Sequence, residues 1–168
     1  MTDHSFGSPA VSSSASMRRD TRTRTPAQVA SLIVGIAFLL VGVLGFIPGI
    51  TENFDDITFA GHESGAELLG VFEVSVLHNI VHLLFGVVGI AAAARHSSSR
   101  SFLIVGGVIY LALWIYGLVI DHDSDANFVP FNDADNWLHF GLGAGMLILG
   151  LALGRRYDVD RRPATPVR

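Results

Sequence analysis

Three histidines lie inside apolar stretches of this chain and are the side chains best suited to chemistry there. His78 and His82 are four residues apart in the run LHNIVHLLFG, so on a helix they would share one face. His139 lies in a second run, NWLHFGLG, and both runs contain the frame Asn-x-x-His-x-x-x-Gly. Neutral imidazole is a good ligand for zinc, copper, iron and nickel. The spacing therefore allows a divalent metal site formed by His78, His82 and His139, or a b-type haem held between His82 and His139.

Three polar neighbours could support such a site by holding the second ring nitrogen of a histidine. Asp135 precedes His139 by four residues, which would place it on the same helical face. Carboxylates commonly orient ligating histidines in this way. Asn79 and Asn136 could do the same through their carbonyl oxygens.

Two other interpretations of these residues remain open. The histidines and asparagines could hydrogen-bond across helix interfaces and fix the helix register without any cofactor. The imidazoles could also titrate along a proton or substrate path in a small channel or transporter. The packing role, in a structural or accessory protein, is the favoured interpretation. An enzyme is disfavoured, because Asn79 occupies the position at which the metalloprotease motif His-Glu-x-x-His has its general base.

The composition places these histidines in a membrane. Half of the 168 residues are hydrophobic, 15% are charged and the mean hydropathy is +0.48. Four apolar segments, at about 27–48, 71–94, 102–120 and 137–154, are each near the length of about 20 residues that spans a bilayer. We therefore predict an all-α four-helix transmembrane bundle over residues 26–155, between disordered cytoplasmic tails at 1–25 and 156–168. Its partners would be the lipid bilayer and a second copy or a larger membrane complex, and no nucleic acid.

The arginines predict the orientation of the bundle. They cluster before the first segment, between the second and third, and after the fourth, whereas the other two loops carry only acidic charge. Basic residues near helix ends stay on the cytoplasmic side. Both termini are therefore expected in the cytoplasm, with the protein in the bacterial cytoplasmic membrane. The first outer loop, at 49–70, is long enough for a short strand or an interfacial helix.

Glycines share the histidine faces, and small residues allow close helix contact in membranes. Gly86 and Gly143 each follow a histidine by four residues, so we expect both to have structural roles and the histidines to point into the bundle. The repeated frame suggests a duplicated helical hairpin, although the first and third segments do not align at the same offset. Gly141-x-x-x-Gly145 could serve contact within the bundle, which is the commoner outcome, or dimerisation.

Two of these motifs together resemble a known family. HNIVHLLFG at 78–86 and ADNWLH at 134–139 are similar to the signatures of bacterial membrane proteins grouped as domain of unknown function 4383. The resemblance covers about residues 26–155. It implies a four-helix membrane protein and singles out the histidines, asparagines, Asp135 and glycines named above. It implies no activity, cofactor or catalytic residue.

Overall fold

The structure, a computed structural model, describes residues 23–160, with side chains up to position 153. The predicted all-helical fold with four helices is confirmed. The helices are α1 (Pro26–Leu44), α2 (Val76–Ala92), α3 (His96–Val119) and α4 (Asp133–Asp160). The helix α4 continues past position 155, where the predicted domain ends, and most of both predicted tails lies outside the described residues.

Three of the helices are long and apolar enough to cross a membrane: α1, α3, and α4 over Asp133–Leu153. The second, α2, is apolar but has only 17 residues, or about 26 Å of helix. It is shorter than predicted because the chain at Phe72–Glu73 forms a strand instead of a first helical turn. Large apolar side chains such as Ile33, Leu84 and Ile148 are exposed along the helices. A surface of this kind suits hydrocarbon and marks the chain as a membrane protein.

Capping side chains set where the helices begin. The Thr25 hydroxyl accepts a hydrogen bond from the N–H of Gln28, whose side chain accepts one from the N–H of Thr25. Pro26 follows at the first helical position, where its missing N–H costs nothing. Ser75 caps α2 by accepting a hydrogen bond from the N–H of His78 at 3.1 Å. This cap therefore fixes the residue at which the apolar helix α2 begins.

The helices pack as two hairpins, α1 with α2 and α3 with α4, that touch backbone to backbone. A Cβ atom at Gly35 would lie 2.7 Å from the backbone nitrogen of Ile90, and one at Gly107 would lie 2.7 Å from that of Leu147. Gly86 and Gly143 lie at the same two crossings, each within about 3 Å of the facing helix once a Cβ is added. The glycines of both hairpins thus make matching contacts, which supports the predicted duplication.

Not every glycine of α4 serves this packing. A Cβ atom at Gly141 or Gly145 would meet no described atom within 4 Å. These two glycines therefore lie on the outer surface of α4. Of the two predicted outcomes, contact within the bundle was the commoner, but these glycines do not make that contact. The prediction of a second copy or larger complex stays a prediction.

The loops between the helices of each hairpin form a small cap at one end of the bundle. Three short antiparallel strands in the first loop, β1 (Thr51–Glu52), β2 (Glu67–Leu68) and β3 (Phe72–Glu73), pair in that order. Of the two predicted alternatives for this loop, the structure contains short strands. The cap extends to the second loop, because the N–H of Gly61 donates to the carbonyl of Phe128 at 2.8 Å.

Candidate functional site

The three predicted histidines line one cavity inside the bundle. Its volume is about 470 Å³, and its walls come from α2, α3, α4 and the second loop of the cap. His78, His82 and His139 are 5%, 6% and 5% exposed. Their rings therefore lie within the protein, as predicted, and not on the surface that faces lipid.

Aromatic rings connect the histidines of the two hairpins. The ring centroids of His78 and His82 are 4.4 Å apart, and His82 contacts Phe38 on α1 at 5.3 Å. Phe38 contacts Tyr110 on α3 at 5.2 Å, and Tyr110 contacts His139 at 5.1 Å. The imidazoles thus belong to one continuous aromatic layer that crosses the interface between the hairpins.

The other cavity walls are mainly apolar and aromatic. Tyr110, Tyr116, Phe128 and Phe131 contribute rings, and Phe131 packs on His139 with centroids 5.0 Å apart. Among the residues that the structure describes, the only polar side chains that line the cavity are the three histidines and the two tyrosines, and no Lys, Arg, Asp or Glu of that part of the chain lines it. The cavity is therefore suited to a neutral molecule with few hydrogen-bonding groups.

The three imidazoles make no hydrogen bonds to other described groups. The Nδ1 atom of each is enclosed and has no partner among these residues. A buried polar atom without a partner costs about 1–3 kcal/mol. A neutral imidazole carries one N–H donor and one acceptor nitrogen, so each ring can both donate and accept. The Nε2 atoms are not enclosed in this way and make no hydrogen bond to a described group, so the Nε2 side of each ring offers unused hydrogen-bonding capacity at the wall of the cavity.

The described residues contain no preformed metal centre. No group of three His, Cys, Asp or Glu side chains among them is arranged to hold a metal ion. His78, His82 and His139 share the cavity without forming a tight ligand set. The predicted metal site stays a prediction that this geometry does not support.

Asn79 and Asn136 contact the first helix of their own hairpin and do not support a histidine. The Asn79 side-chain amide donates to the carbonyl of Gly45 at 2.9 Å. A Cβ atom at Gly45 would overlap the side chain of Asn79, and one at Gly117 would overlap that of Asn136. Both asparagines thus fill the space that a glycine leaves where α1 or α3 ends, which is a packing role.

The sequence predicted that Asp135 supports His139, but the structure gives the Asp135 carboxylate other partners. One of its carboxylate oxygens accepts hydrogen bonds from the N–H of Glu73 at 3.0 Å and of Asn132 at 3.3 Å. Its own N–H donates to the Asn132 side chain at 2.9 Å. Asn132 therefore caps α4 in a capping box that Asp135 completes, and Asp135 joins the helix to β3. No hydrogen bond joins Asp135 to His139, whose Nδ1 has no partner among the described residues.

Acidic side chains face one another across the strands of the cap. Glu67 is directly opposite both Glu52 and Glu73 in the register of the sheet. Burial, with a smaller contribution from the Glu67 carboxylate, raises the pKa of Glu73 above its ordinary value. Like charges directly opposite destabilise a strand pair. The cap is therefore acidic and carries an unfavourable interaction at neutral pH.

The cavity opens sideways between α2 and α3. Val81 on α2 and Ile109 and Ala112 on α3 line the cavity and are also exposed, with Val81 45% and Ile109 43% exposed. Sequence reasoning did not assign Tyr110 to a site. It missed these mouth residues altogether, because their apolar character is shared by every lipid-facing position.

Comparison with known proteins identifies a family. No curated protein and no solved structure matches the chain. A family model described as "Domain of unknown function (DUF4383)" matches residues 28–152, from the first turn of α1 into α4. The chain therefore belongs to the DUF4383 family, as its paired histidine motifs predicted.

Proposed function

We propose that this protein is a non-enzymatic accessory protein of the bacterial cytoplasmic membrane that binds a small neutral molecule in the cavity between its two hairpins. The observation that supports this most strongly is the set of three imidazoles, each about 95% buried and without a hydrogen-bond partner among the described residues, at the wall of a cavity of about 470 Å³. Ligand cavities typically have about 300–1,000 Å³, apolar walls and a few polar groups. This cavity has that composition.

In this proposal, one set of residues packs the helices and a different set binds the ligand. The asparagines and glycines hold each hairpin together, as Asn79 does through the Gly45 carbonyl. The three histidines make no such bond to any residue that the structure describes. A histidine whose role was to fix helix register would be expected to hydrogen-bond across an interface. The predicted structural layer is thus assigned to Asn79 and Asn136, and the imidazoles are assigned to a ligand.

The charges at the two ends of the bundle support cytoplasmic termini. Thr25 and His96 are hydrogen-bonded at 3.0 Å, so the start of α1 and the turn between α2 and α3 lie at the same end, where Arg24, Arg95 and Arg100 occur. The opposite end is the acidic cap. Reporter fusions after residue 168 and within the cap would test this orientation. A periplasmic reporter that is active at the C-terminus and inactive in the cap would reverse it.

The binding proposal is tested on the full chain purified from its native membrane. Native mass spectrometry should show the polypeptide with an additional bound mass, and solvent extraction should release it. His82→Ala and His139→Ala should lose most of the bound molecule, whereas His62→Ala, the same change outside the cavity, should retain it. A wild-type protein that carries no bound molecule under conditions that preserve its fold would refute the proposal.

Haem is a second candidate because His82 and His139 line the cavity from different helices, and its two propionates would have to lie outside the cavity, since no described Lys or Arg lines the wall. One axial ligand from each of two helices is a common way to hold a b-type haem in a bundle. Such a protein would be coloured and would show a Soret band that His82→Ala or His139→Ala abolishes. A colourless preparation without extractable haem would remove this candidate and leave the broader binding proposal intact.

A further inference from the structure

The cavity offers access from the hydrocarbon of the membrane. Three of its exposed wall residues, Val81, Ile109 and Ala112, lie on α2 and α3, among the apolar side chains that cover the helices, and a fourth, Phe128, lies in the cap. The cap covers the bundle at the end near His78, where Phe128, Val129 and Phe131 also line the cavity. A molecule dissolved in the bilayer could therefore enter between α2 and α3 without crossing the cap.

The wall chemistry limits what such a molecule can be. A phospholipid head group would leave its phosphate without a cationic partner, since no Arg or Lys of the described part of the chain lines the cavity. An isolated buried charge is strongly unfavourable. A plain hydrocarbon would leave the accessible Nε2 atoms of the imidazoles unpaired. The remaining class is a neutral lipid-soluble molecule with a few polar atoms on an otherwise apolar body.

The aromatic rings favour a planar head group. Tyr110, Tyr116, Phe128 and Phe131 present ring faces or edges to the same space that the histidines line. Aromatic rings pack favourably against other rings, whether offset-stacked or edge to face. The polar atoms of a planar ring would lie at its edge, where the imidazoles can reach them, and an attached apolar tail would leave through the mouth beside Val81 and Ala112.

Resting on the binding function proposed above, we propose that the cavity binds the ring of a membrane-dissolved quinone, with its isoprenoid tail passing between α2 and α3 into the bilayer. A neutral imidazole can donate to a quinone carbonyl and can accept from a quinol hydroxyl. The three imidazoles and the hydroxyl of Tyr110, which line the cavity from α2, α3 and α4, therefore suit both the oxidised and the reduced ring. The proposal concerns binding only.

Intrinsic fluorescence provides the test. The chain has two tryptophans, and Trp114 follows Leu113 of the cavity wall on α3. Decylubiquinone and a naphthoquinone with a short isoprenoid tail, titrated into the full chain in nanodiscs, should quench this fluorescence saturably. Decanol, which has the tail without the ring, should not compete. His82→Ala should weaken binding about tenfold, the effect of one lost hydrogen bond to a neutral group.

A matched pair of variants tests the route through the mouth. Ala112→Phe places a large ring at the mouth and should weaken quinone binding at least as much as His82→Ala. Ala37→Phe makes the same change on α1, at an exposed position that does not line the cavity, and should leave binding unchanged. Both positions are on the outer surface, so both variants should fold, as judged by unchanged helical circular dichroism.

The outcomes separate this inference from the binding function on which it rests. If the native protein carries a bound molecule but neither quinone binds to the emptied cavity or displaces that molecule, the quinone assignment is wrong and the binding function stands. If quinone binds equally well to Ala112→Phe and Ala37→Phe, the proposed site and route are wrong. If the protein binds neither a native molecule nor a quinone, both proposals fail.

Discussion

Adding one methyl group at Gly143 should destabilise the protein, whereas adding it at Gly145, half a turn away on the same helix, should not. A Cβ atom at Gly143 would lie 2.8 Å from the backbone nitrogen of Leu111 and 3.1 Å from the carbonyl oxygen of Gly107. A Cβ atom at Gly145 would meet no described atom within 4 Å. The two substitutions are chemically identical and differ only in what they contact.

The expected difference follows from this contrast. Replacing glycine by alanine favours a helix by about 0.8–1.0 kcal/mol in water, and this contribution should be similar at both positions and cancel. Overpacking costs about 1–3 kcal/mol. The atoms that Gly143→Ala would meet include backbone, which cannot rotate away. Gly143→Ala should therefore be less stable than Gly145→Ala by about 1–3 kcal/mol, or about 5- to 150-fold in the unfolding equilibrium.

Reversible unfolding in mixed micelles measures this difference. The two variants and the wild type would be titrated with sodium dodecyl sulfate while helical circular dichroism is recorded. Gly145→Ala should unfold at or above the wild-type midpoint, and Gly143→Ala clearly below it. Equal stabilities, or a lower stability for Gly145→Ala, would refute the inference that α3 and α4 touch through their backbones at Gly143.

Three further predictions concern single contacts of the hairpins and the cap. Asn79→Ala should lower the free energy of unfolding by about 0.6–2 kcal/mol in the same titration, since it leaves the Gly45 carbonyl without its donor; no change would argue against the packing role. Glu67→Gln should raise the thermal midpoint at neutral pH more than at pH 4. The pKa of Glu73 is raised in the folded protein, so the stability that Glu73 contributes is fully present below its unfolded pKa and is lost as the pH rises through its folded pKa. Removing the Glu67 charge lessens that loss. A midpoint difference between variant and wild type that is independent of pH would contradict this. Leu69→Asn should stabilise the cap by about 1 kcal/mol in thermal unfolding, because Leu69 has a φ of 57° that asparagine tolerates better; a destabilised variant would show that Leu69 makes a contact worth more than its strain.

The sequence could predict the helices and the inward direction of the histidines because both depend on local patterns. Apolar length reveals a helix that can cross a membrane, and the four-residue spacing of His78 and His82 puts them on one face. The start of α2 was predicted too early, at residue 71, because Val71 and Phe72 are as apolar as the helix that follows. Instead, the tight turn at Leu69 and Gly70 continues through Val71, and a strand begins at Phe72.

The duplication was only partly visible for a related reason. Asn79 and Asn136 correspond in the second helix of each hairpin, and Gly45 and Gly117 correspond in the first, where each glycine contacts its asparagine. The two correspondences have different offsets because the loop of the second hairpin is shorter. A comparison at a single offset therefore matches α2 with α4 but cannot match α1 with α3.

The partners of the site residues could not be predicted, since they depend on contacts between distant parts of the chain. Asp135 was expected to hold His139, four residues away, but its carboxylate accepts from the backbone of Glu73 on a strand of the other hairpin. The cavity is likewise a space that side chains of three helices leave unfilled. No local pattern records such a space.

The most direct test is an experimental structure of the full chain, purified from its native membrane into nanodiscs, at a resolution that shows bound molecules. We predict non-protein density between His82 and His139, in contact with the imidazoles and continuous with the mouth beside Ala112. An empty site whose walls have closed together, or imidazoles turned outward toward lipid, would contradict a ligand-binding cavity.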